Sequence, residues 1–445
     1  MKRKLLLLYL RVILDSRFIA LRRRLTELRR QLTLKKRVVH VFLQLDDPYS
    51  YLLSQYLEHV ITHYRSVEFR FYLCQALRGD FMPQPDMLAE YSVTDCRMLA
   101  MELGVPFLDR RETQTVEYRR PLLDFLAGEQ EDENFGSVIT RALAFYWRGD
   151  AEGAAGMLGK IRPEQAVANV QVGRNQLLLR KMGHYSCATM HYAGEWYWGV
   201  DRLPYLIDRL DQQGLKRYRE AAPELESLAR TMRSKPPARA PAKARELPPL
   251  EMFYSFRSPY SYIALARVFE IADSFGLQLI VRPVLPMVMR GLKLPGNKLL
   301  YIVHDANREA KRLAVPFGKI SDAVGIASER CIAVFYHAQA EGKEREFLSA
   351  VGEAIWSQAI DVASDEGMQI VAERADLSWT EVQEAMANNT WRDAVEENRR
   401  LLTENGLWGV PSFRIGKLAL WGQDRTWLLA RKIAEMCDDG EGIVT

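Results

Sequence analysis

The chain uses almost the same words twice. Asp47-Pro48-Tyr49-Ser50-Tyr51 in the first half returns as Ser258-Pro259-Tyr260-Ser261-Tyr262 in the second. Tyr91, Asp95, Arg97, Leu103, Val105, Pro106 and Phe107 are answered by Tyr301, Asp305, Arg308, Leu313, Val315, Pro316 and Phe317, with only the arginine one position out of register. A third block, Trp198-Gly199-Val200-Asp201-Arg202, matches Trp421-Gly422-Gln423-Asp424-Arg425. Three blocks in one order imply a tandem duplication. Two long copies are too few for a solenoid array, so each copy is expected to be a globular domain.

The 445 residues, 48% of them hydrophobic, can bury two cores. The net charge of +4 conceals an asymmetry: residues 1–37 hold 13 Lys and Arg against Asp15 and Glu27, which leaves the remainder near −7. Leu5 to Leu8 behind Lys2-Arg3-Lys4 is too short for an export or spanning segment, because Arg11, Asp15 and Arg17 interrupt it, so secretion is not expected. Leu10, Leu14, Phe18, Leu21, Leu25 and Leu28 recur at helical spacing among arginines, which predicts a basic amphipathic helix over residues 1–37. Such a helix suits either peripheral contact with an anionic membrane or packing on its own domain or on a partner subunit. No nucleic-acid-binding module accompanies the charge, and none is expected to bind.

Cys74, Cys96, Cys187, Cys331 and Cys437 form no C-x-x-C pair and no zinc spacing, and the seven histidines form no ligand cluster. No metal is expected. An odd, scattered set of cysteines suits a reducing cytoplasm.

Residues 231–249, rich in proline, alanine and charge, read as a linker between a first domain over 38–230 and a second over 250–445. In the second, Leu250–Phe256 reads as a buried strand, Pro259–Phe275 as a helix stopped by Gly276, and Leu277–Arg282 as a strand parallel to the first. A helical region follows from about Leu299 to Asn405, with helices expected at 305–313, 328–341, 346–359 and 379–402. Val410–Ile415, a Gly416-Lys417 turn, Leu418–Trp421 and a helix from Asp424 to about Met436 close the domain. The first copy offers Val38–Leu45 and Val67–Cys74 as strands, with its helical insertion over about 85–182. The expected fold class is α/β: two tandem thioredoxin-like domains, each with an inserted helical subdomain.

Ser258 sits between strand and helix with Pro259 next. Serine at N-cap and proline at N1 is an ordinary helix start. The same geometry also presents free N–H groups and positive partial charge, where a hydroxyl can hydrogen-bond a thiolate and lower its pKa. Both readings stand on this fragment alone.

Phe253-Tyr254-Ser255-Phe256-Arg257-Ser258-Pro259-Tyr260-Ser261-Tyr262, Arg282-Pro283-Val284-Leu285, Gly296-Asn297, Gly409-Val410-Pro411 and Trp421-Gly422-Gln423-Asp424-Arg425 together resemble 2-hydroxychromene-2-carboxylate isomerases and kappa-class glutathione transferases, of the wider DsbA-like thioredoxin superfamily. The resemblance covers nearly all of 250–437. It implies a glutathione cofactor whose sulfur meets Ser258. It implies that Asn297 holds the tripeptide, although a turn role competes. Val410, before an expected cis-proline at Pro411, would offer its backbone to the cysteinyl part, and a strand-edge proline is the competing reading there. Gln423 and Asp424 would clamp the γ-glutamyl group, with Asp424 also able to cap a helix.

Some residues depart from the pattern. Ser255 stands where aspartate is common, Arg257 precedes the serine, and Pro286-Met287 replaces a more usual Leu-Gly. Arg257 and Lys298 are cations that could meet a carboxylate of substrate or of glutathione, or face solvent. In the first copy Asp47 replaces the serine, where a carboxylate would raise a neighbouring thiol's pKa. Tyr185 or Ser186 is taken to occupy the cis-proline position. The first copy is therefore expected to have lost its cofactor site and to stand in for the second subunit of a dimer, with homodimerisation left open.

The expected activity is a glutathione-dependent isomerase or transferase acting on an aromatic or electrophilic small molecule, in the cytoplasm, with peripheral attachment to the inner face of a membrane open. A non-catalytic thioredoxin-fold scaffold is the alternative. Disulfide oxidoreductase chemistry, as in the wider superfamily, needs a thiol at the helix start, and neither Asp47 nor Ser258 supplies one.

Overall fold

A computed structural model describes residues 2–75, 79–108, 117–159, 165–216, 222–235 and 247–438. The linker expected over 231–249 lies largely outside these residues. The chain divides into two compact units, one of Arg22–Ser234 and one of Met1–Leu21 with Lys235–Thr445.

The N-terminal segment is two helices rather than one, α1 (Lys2–Leu14) and α2 (Ser16–Leu32). Asp15 breaks it, because its carboxylate accepts from the backbone N–H of Arg17 and Phe18 and so caps the second helix. The unit boundary falls within α2, so α1 belongs with the C-terminal half and most of α2 with the N-terminal half.

In the unit Arg22–Ser234, β1 (Val38–Gln44), α3 (Pro48–His63) and β2 (Glu68–Cys74) form the parallel crossover. Helices α4 (Pro85–Leu103), α5 (Arg119–Glu129), α6 (Phe135–Arg148), α7 (Ala151–Leu158) and α8 (Gln165–Met182) follow. A hairpin of β3 (Thr189–Tyr192) and β4 (Glu195–Trp198) then leads into α9 (Gly199–Gln212) and α10 (Pro223–Met232). The sheet order is β2-β1-β3-β4, with β3 antiparallel to β1. Val39, Val41 and Leu43 are buried on one face of β1, while Leu53, Leu57 and Val60 of α3 and Leu203, Leu206 and Leu210 of α9 are also in the core.

In the other unit, β5 (Leu250–Tyr254), α11 (Pro259–Phe275) and β6 (Leu279–Pro283) repeat the crossover. Every residue of β5 is buried, as a central strand covered on both faces requires. Gly276, at φ +64°, ends α11 in the left-handed conformation that a side chain disfavours. Next come α12 (Gly296–Arg312), α13 (Ile326–Ala340), α14 (Glu344–Trp356), α15 (Asp365–Arg374), α16 (Trp379–Ala387) and α17 (Trp391–Glu404). The single helix expected over 379–402 is thus two, parted at Asn388–Thr390, where the Asn388 side chain accepts from the Thr390 N–H. Helix α15 lies inside the helical region expected over about 299–405, between the helices named there. The hairpin β7 (Ser412–Ile415) and β8 (Leu418–Trp421), a 3-10 turn at Gln423–Arg425 and α18 (Thr426–Asp438) close the unit. Its sheet order, β6-β5-β7-β8, repeats that of the first sheet strand for strand.

Candidate functional site

Ser258 lies where β5 hands over to α11, partly exposed at the helix N-terminus. Its Oγ accepts from the Ser261 N–H at 3.1 Å, the N-cap bond, and donates to the Val410 carbonyl at 3.2 Å. The Val410–Pro411 peptide is cis. The chain therefore brings Ser258, Val410 and Pro411 together from positions far apart in sequence. Val410 lies just before β7, and its N–H makes no backbone hydrogen bond among the described residues. That amide is an open strand edge of the kind an extended peptide can use.

Close packing fixes this corner. A Cβ on Gly409 would collide with the Trp421 indole, and the Trp421 ring stands against Trp408 at a centroid distance of 4.5 Å. Gly422, at φ +111°, leaves room for the Asp424 carboxylate and donates its N–H to the Pro411 carbonyl at 2.9 Å. The spacing of Gly-Val-Pro and Trp-Gly-Gln-Asp thus has a steric cause: each glycine admits a side chain of the other segment or of its own turn.

Gln423 is buried, and its Nε2 donates to Glu309 Oε2 of α12 at 2.9 Å, while Glu309 also pairs with Arg312 at 2.9 Å. The amide oxygen of Gln423, Oε1, is buried with no hydrogen-bond partner among the described residues. Asp424 is partly exposed and lies 3.5 Å from the Arg425 guanidinium. Asn297 stands in the first turn of α12, where its Oδ1 accepts from the Lys298 N–H at 3.0 Å. Burial lowers the pKa of the Lys298 ammonium. Arg257 is paired within its own unit: its Nε bonds Asp322 at 2.8 Å.

Sequence reasoning missed Glu309, Asp322 and the role of Asp305. Tyr260 Oη donates to Asp305 Oδ2 at 2.9 Å, holding the first turn of α11 to α12. The signal was available in the repeat, since Tyr49 and Asp95 make the same bond at 2.8 Å in the other unit. Nothing in the spacing pointed to Glu309 or Asp322. Ser255 places its Oγ in the core without a hydrogen-bond partner among the described residues.

The corresponding corner of the first sheet differs in chemistry. Asp47 caps α3, accepting from the Tyr49 and Ser50 N–H groups and from Ser50 Oγ at 2.6 Å, and burial pushes its pKa up to about 6. The Gly199 N–H bonds the Ala188 carbonyl at 2.7 Å, as Gly422 bonds Pro411, and Thr189 pairs with Trp198 as Ser412 does with Trp421. Ala188 therefore occupies the place of Pro411, not Tyr185 or Ser186, and Cys187 occupies that of Val410. The Cys187 thiol is pushed up by its hydrogen bond with Cys74 and by burial. Among the described residues no group of three or more His, Cys, Asp or Glu is placed to hold a metal ion.

Residues 249–434 match the family described as a DSBA-like thioredoxin domain. A 2-hydroxychromene-2-carboxylate isomerase from Pseudomonas putida is 23% identical over 196 residues, which is 42% of this chain and 95% of the relative. A solved 2-hydroxychromene-2-carboxylate isomerase is 23% identical, covers 43% of this chain and 96% of its own, and has a TM-score of 0.38. The cytosolic disulfide reductase DsbM from Pseudomonas aeruginosa, solved with GSH, is 20% identical with a TM-score of 0.35, over 43% of this chain and 97% of its own. The C-terminal half thus carries a DsbA-like thioredoxin domain with weak similarity to 2-hydroxychromene-2-carboxylate isomerases.

Proposed function

We propose that the C-terminal half binds glutathione and directs its thiol at a conjugated aromatic or electrophilic small molecule, as an isomerase or a transferase. The observation that carries this reading is the Ser258 hydroxyl at the N-terminus of α11, bonded to the carbonyl of Val410. The isomerase relative supports the same reading.

The residues fit a γ-glutamyl tripeptide. The open Val410 N–H and its C=O match the cysteinyl backbone as an added strand would. The unsatisfied Gln423 oxygen suits an ammonium donor, and the partly exposed Asp424 adds a negative charge for the same group. Asn297, with Lys298 beside it at the start of α12, completes the proposed set. Pro411 walls the site beside Val410.

Bound glutathione would supply a thiolate nucleophile, which needs no metal. Ser258 would turn its hydroxyl proton from the Val410 carbonyl toward the sulfur, and the α11 N-terminus would add positive partial charge, so both would favour the ionised thiol. The first unit, with Asp47 and Ala188 at the matching positions, is proposed to be a duplicated thioredoxin-like domain that has lost this site.

Calorimetry of glutathione binding to wild type and to Ser258→Ala, with the ultraviolet thiolate band followed near neutral pH, tests the reading. Wild type should bind and show the band. Losing one charge-assisted hydrogen bond should cost Ser258→Ala about 1.5–3 kcal/mol of thiolate stabilisation. An absence of wild-type binding at millimolar glutathione would sink the proposal and leave a non-catalytic thioredoxin-fold scaffold.

A further inference from the structure

A surface helix ordinarily turns its apolar stripe to the core and its charges to solvent. Helix α2 does the reverse, and none of its residues is buried. Phe18, Leu21, Leu25, Leu28 and Leu32, spaced alternately by three and four, are exposed along one side, Leu25 at 55% and Leu32 at 77%. The opposite side holds the polar contacts. Arg23 forms two bonds with Glu195, at 2.7 and 2.8 Å, and Arg30 and Arg37 both pair with Glu27. In helix α1, Leu5, Leu8, Tyr9 and Val12 are exposed while Leu10, Ile13 and Leu14 are buried.

We propose that the outward stripe of α2 lies on an anionic phospholipid surface. Charge decides the occupant. Arg17 and Arg24 flank the α2 stripe on one side and Arg29 on the other, all exposed. Residues 1–37 carry a net charge of +11. Both acids in that segment are already engaged: Asp15 caps α2, and Glu27 is held by Arg30 and Arg37. A second copy of the chain would set arginines against arginines with no acid to answer them. An anionic bilayer offers apolar depth to the leucines and negative headgroups to the arginines at once. Among the described residues no helix is long and apolar enough to cross a membrane, so the contact is one of lying on the surface. The inference is independent of glutathione chemistry.

The test is flotation of the full chain with phosphatidylcholine vesicles that contain or lack phosphatidylglycerol, at low and high salt. Binding should rise at least about tenfold with the anionic lipid and fall with salt. Leu21→Glu with Leu25→Glu and Leu28→Glu should abolish it, while thermal unfolding stays that of wild type because these side chains are exposed. A second variant, Arg17→Gln with Arg24→Gln and Arg29→Gln, should lose the preference for anionic vesicles. Equal flotation of wild type and the glutamate variant, or no flotation at all, overturns the proposal. A wild-type dimer in sedimentation velocity that the glutamate variant dissociates overturns it in favour of a second copy.

Discussion

Tyr260 and Asp305 are bound hydroxyl to carboxylate at 2.9 Å, and Asp305 is almost fully buried. The bond ties the helix that starts at Ser258 to α12, which carries Asn297 and Glu309. Tyr260→Phe removes one partner of a buried carboxylate and should cost about 1–3 kcal/mol, read as a lower urea midpoint. An unchanged midpoint would mean that Asp305 is satisfied by its other neighbours.

Gly409→Ala should be more damaging than its size suggests. The added methyl meets the Trp421 ring, which already stands against Trp408. Overpacking of this kind costs roughly 1–3 kcal/mol. The proposed glutathione binding should weaken with it, since the indole must move at the corner that Val410 and Pro411 form. Tryptophan fluorescence and calorimetry on one sample would show both effects.

Asp47 gives a pH dependence with a definite sign. Burial raises its folded pKa to about 6, above its ordinary value of 3.8, so the folded state prefers the protonated acid. Stability is lost as pH rises from about 4 through about 6. Asp47→Asn keeps a good N-cap and should stabilise the protein by roughly 1–3 kcal/mol at pH 7. That gain should vanish below about pH 4, in urea titrations run across the range.

His191 acts in the opposite sense. Burial lowers its folded pKa to about 4 and that of His184 to about 3, against an ordinary value of 6.5. Both are held neutral, so their contribution is complete above about pH 6.5 and is lost as pH falls toward 4. His40, 6.1 Å from His191 ring to ring, is lowered too, by burial and then by Arg70. His191→Gln should flatten the acid limb by roughly 1–3 kcal/mol between pH 6.5 and pH 4. An acid limb unchanged in the variant would place the titration elsewhere.

The crossovers were legible because their signals are local. Dense apolar runs gave β1, β2, β5 and β6 to within a few residues, and Ser-Pro at its start with Gly276 at its end fixed α11. Ser258, Val410 and Pro411 were legible as motif words, and they converge in space. The errors came where a polar side chain overrides helical spacing. Asp15 splits the leader while the leucines continue in phase, and Asn388 splits 379–402. The assignment of Tyr185 or Ser186 failed because the hairpin register, not a likeness to proline, sets the equivalent residue, and that register runs back from the Gly199 to Ala188 bond. Partners such as Asp322 for Arg257 and Glu309 for Gln423 arise from tertiary packing, which no spacing rule reaches.

The two leader helices bear on where this protein can be cut. Asn307, buried on α12, donates to the carbonyl of Leu14, and Leu10 and Ile13 are buried within that same unit. A C-terminal half expressed from residue 250 onward would therefore present a bare apolar seat and an orphaned amide. The other half, begun at residue 38, would strand Glu195 with Arg209 but without Arg23. Each fragment therefore has to carry the leader helix that belongs to its own unit, and cutting at residue 38 or 250 gives neither its own.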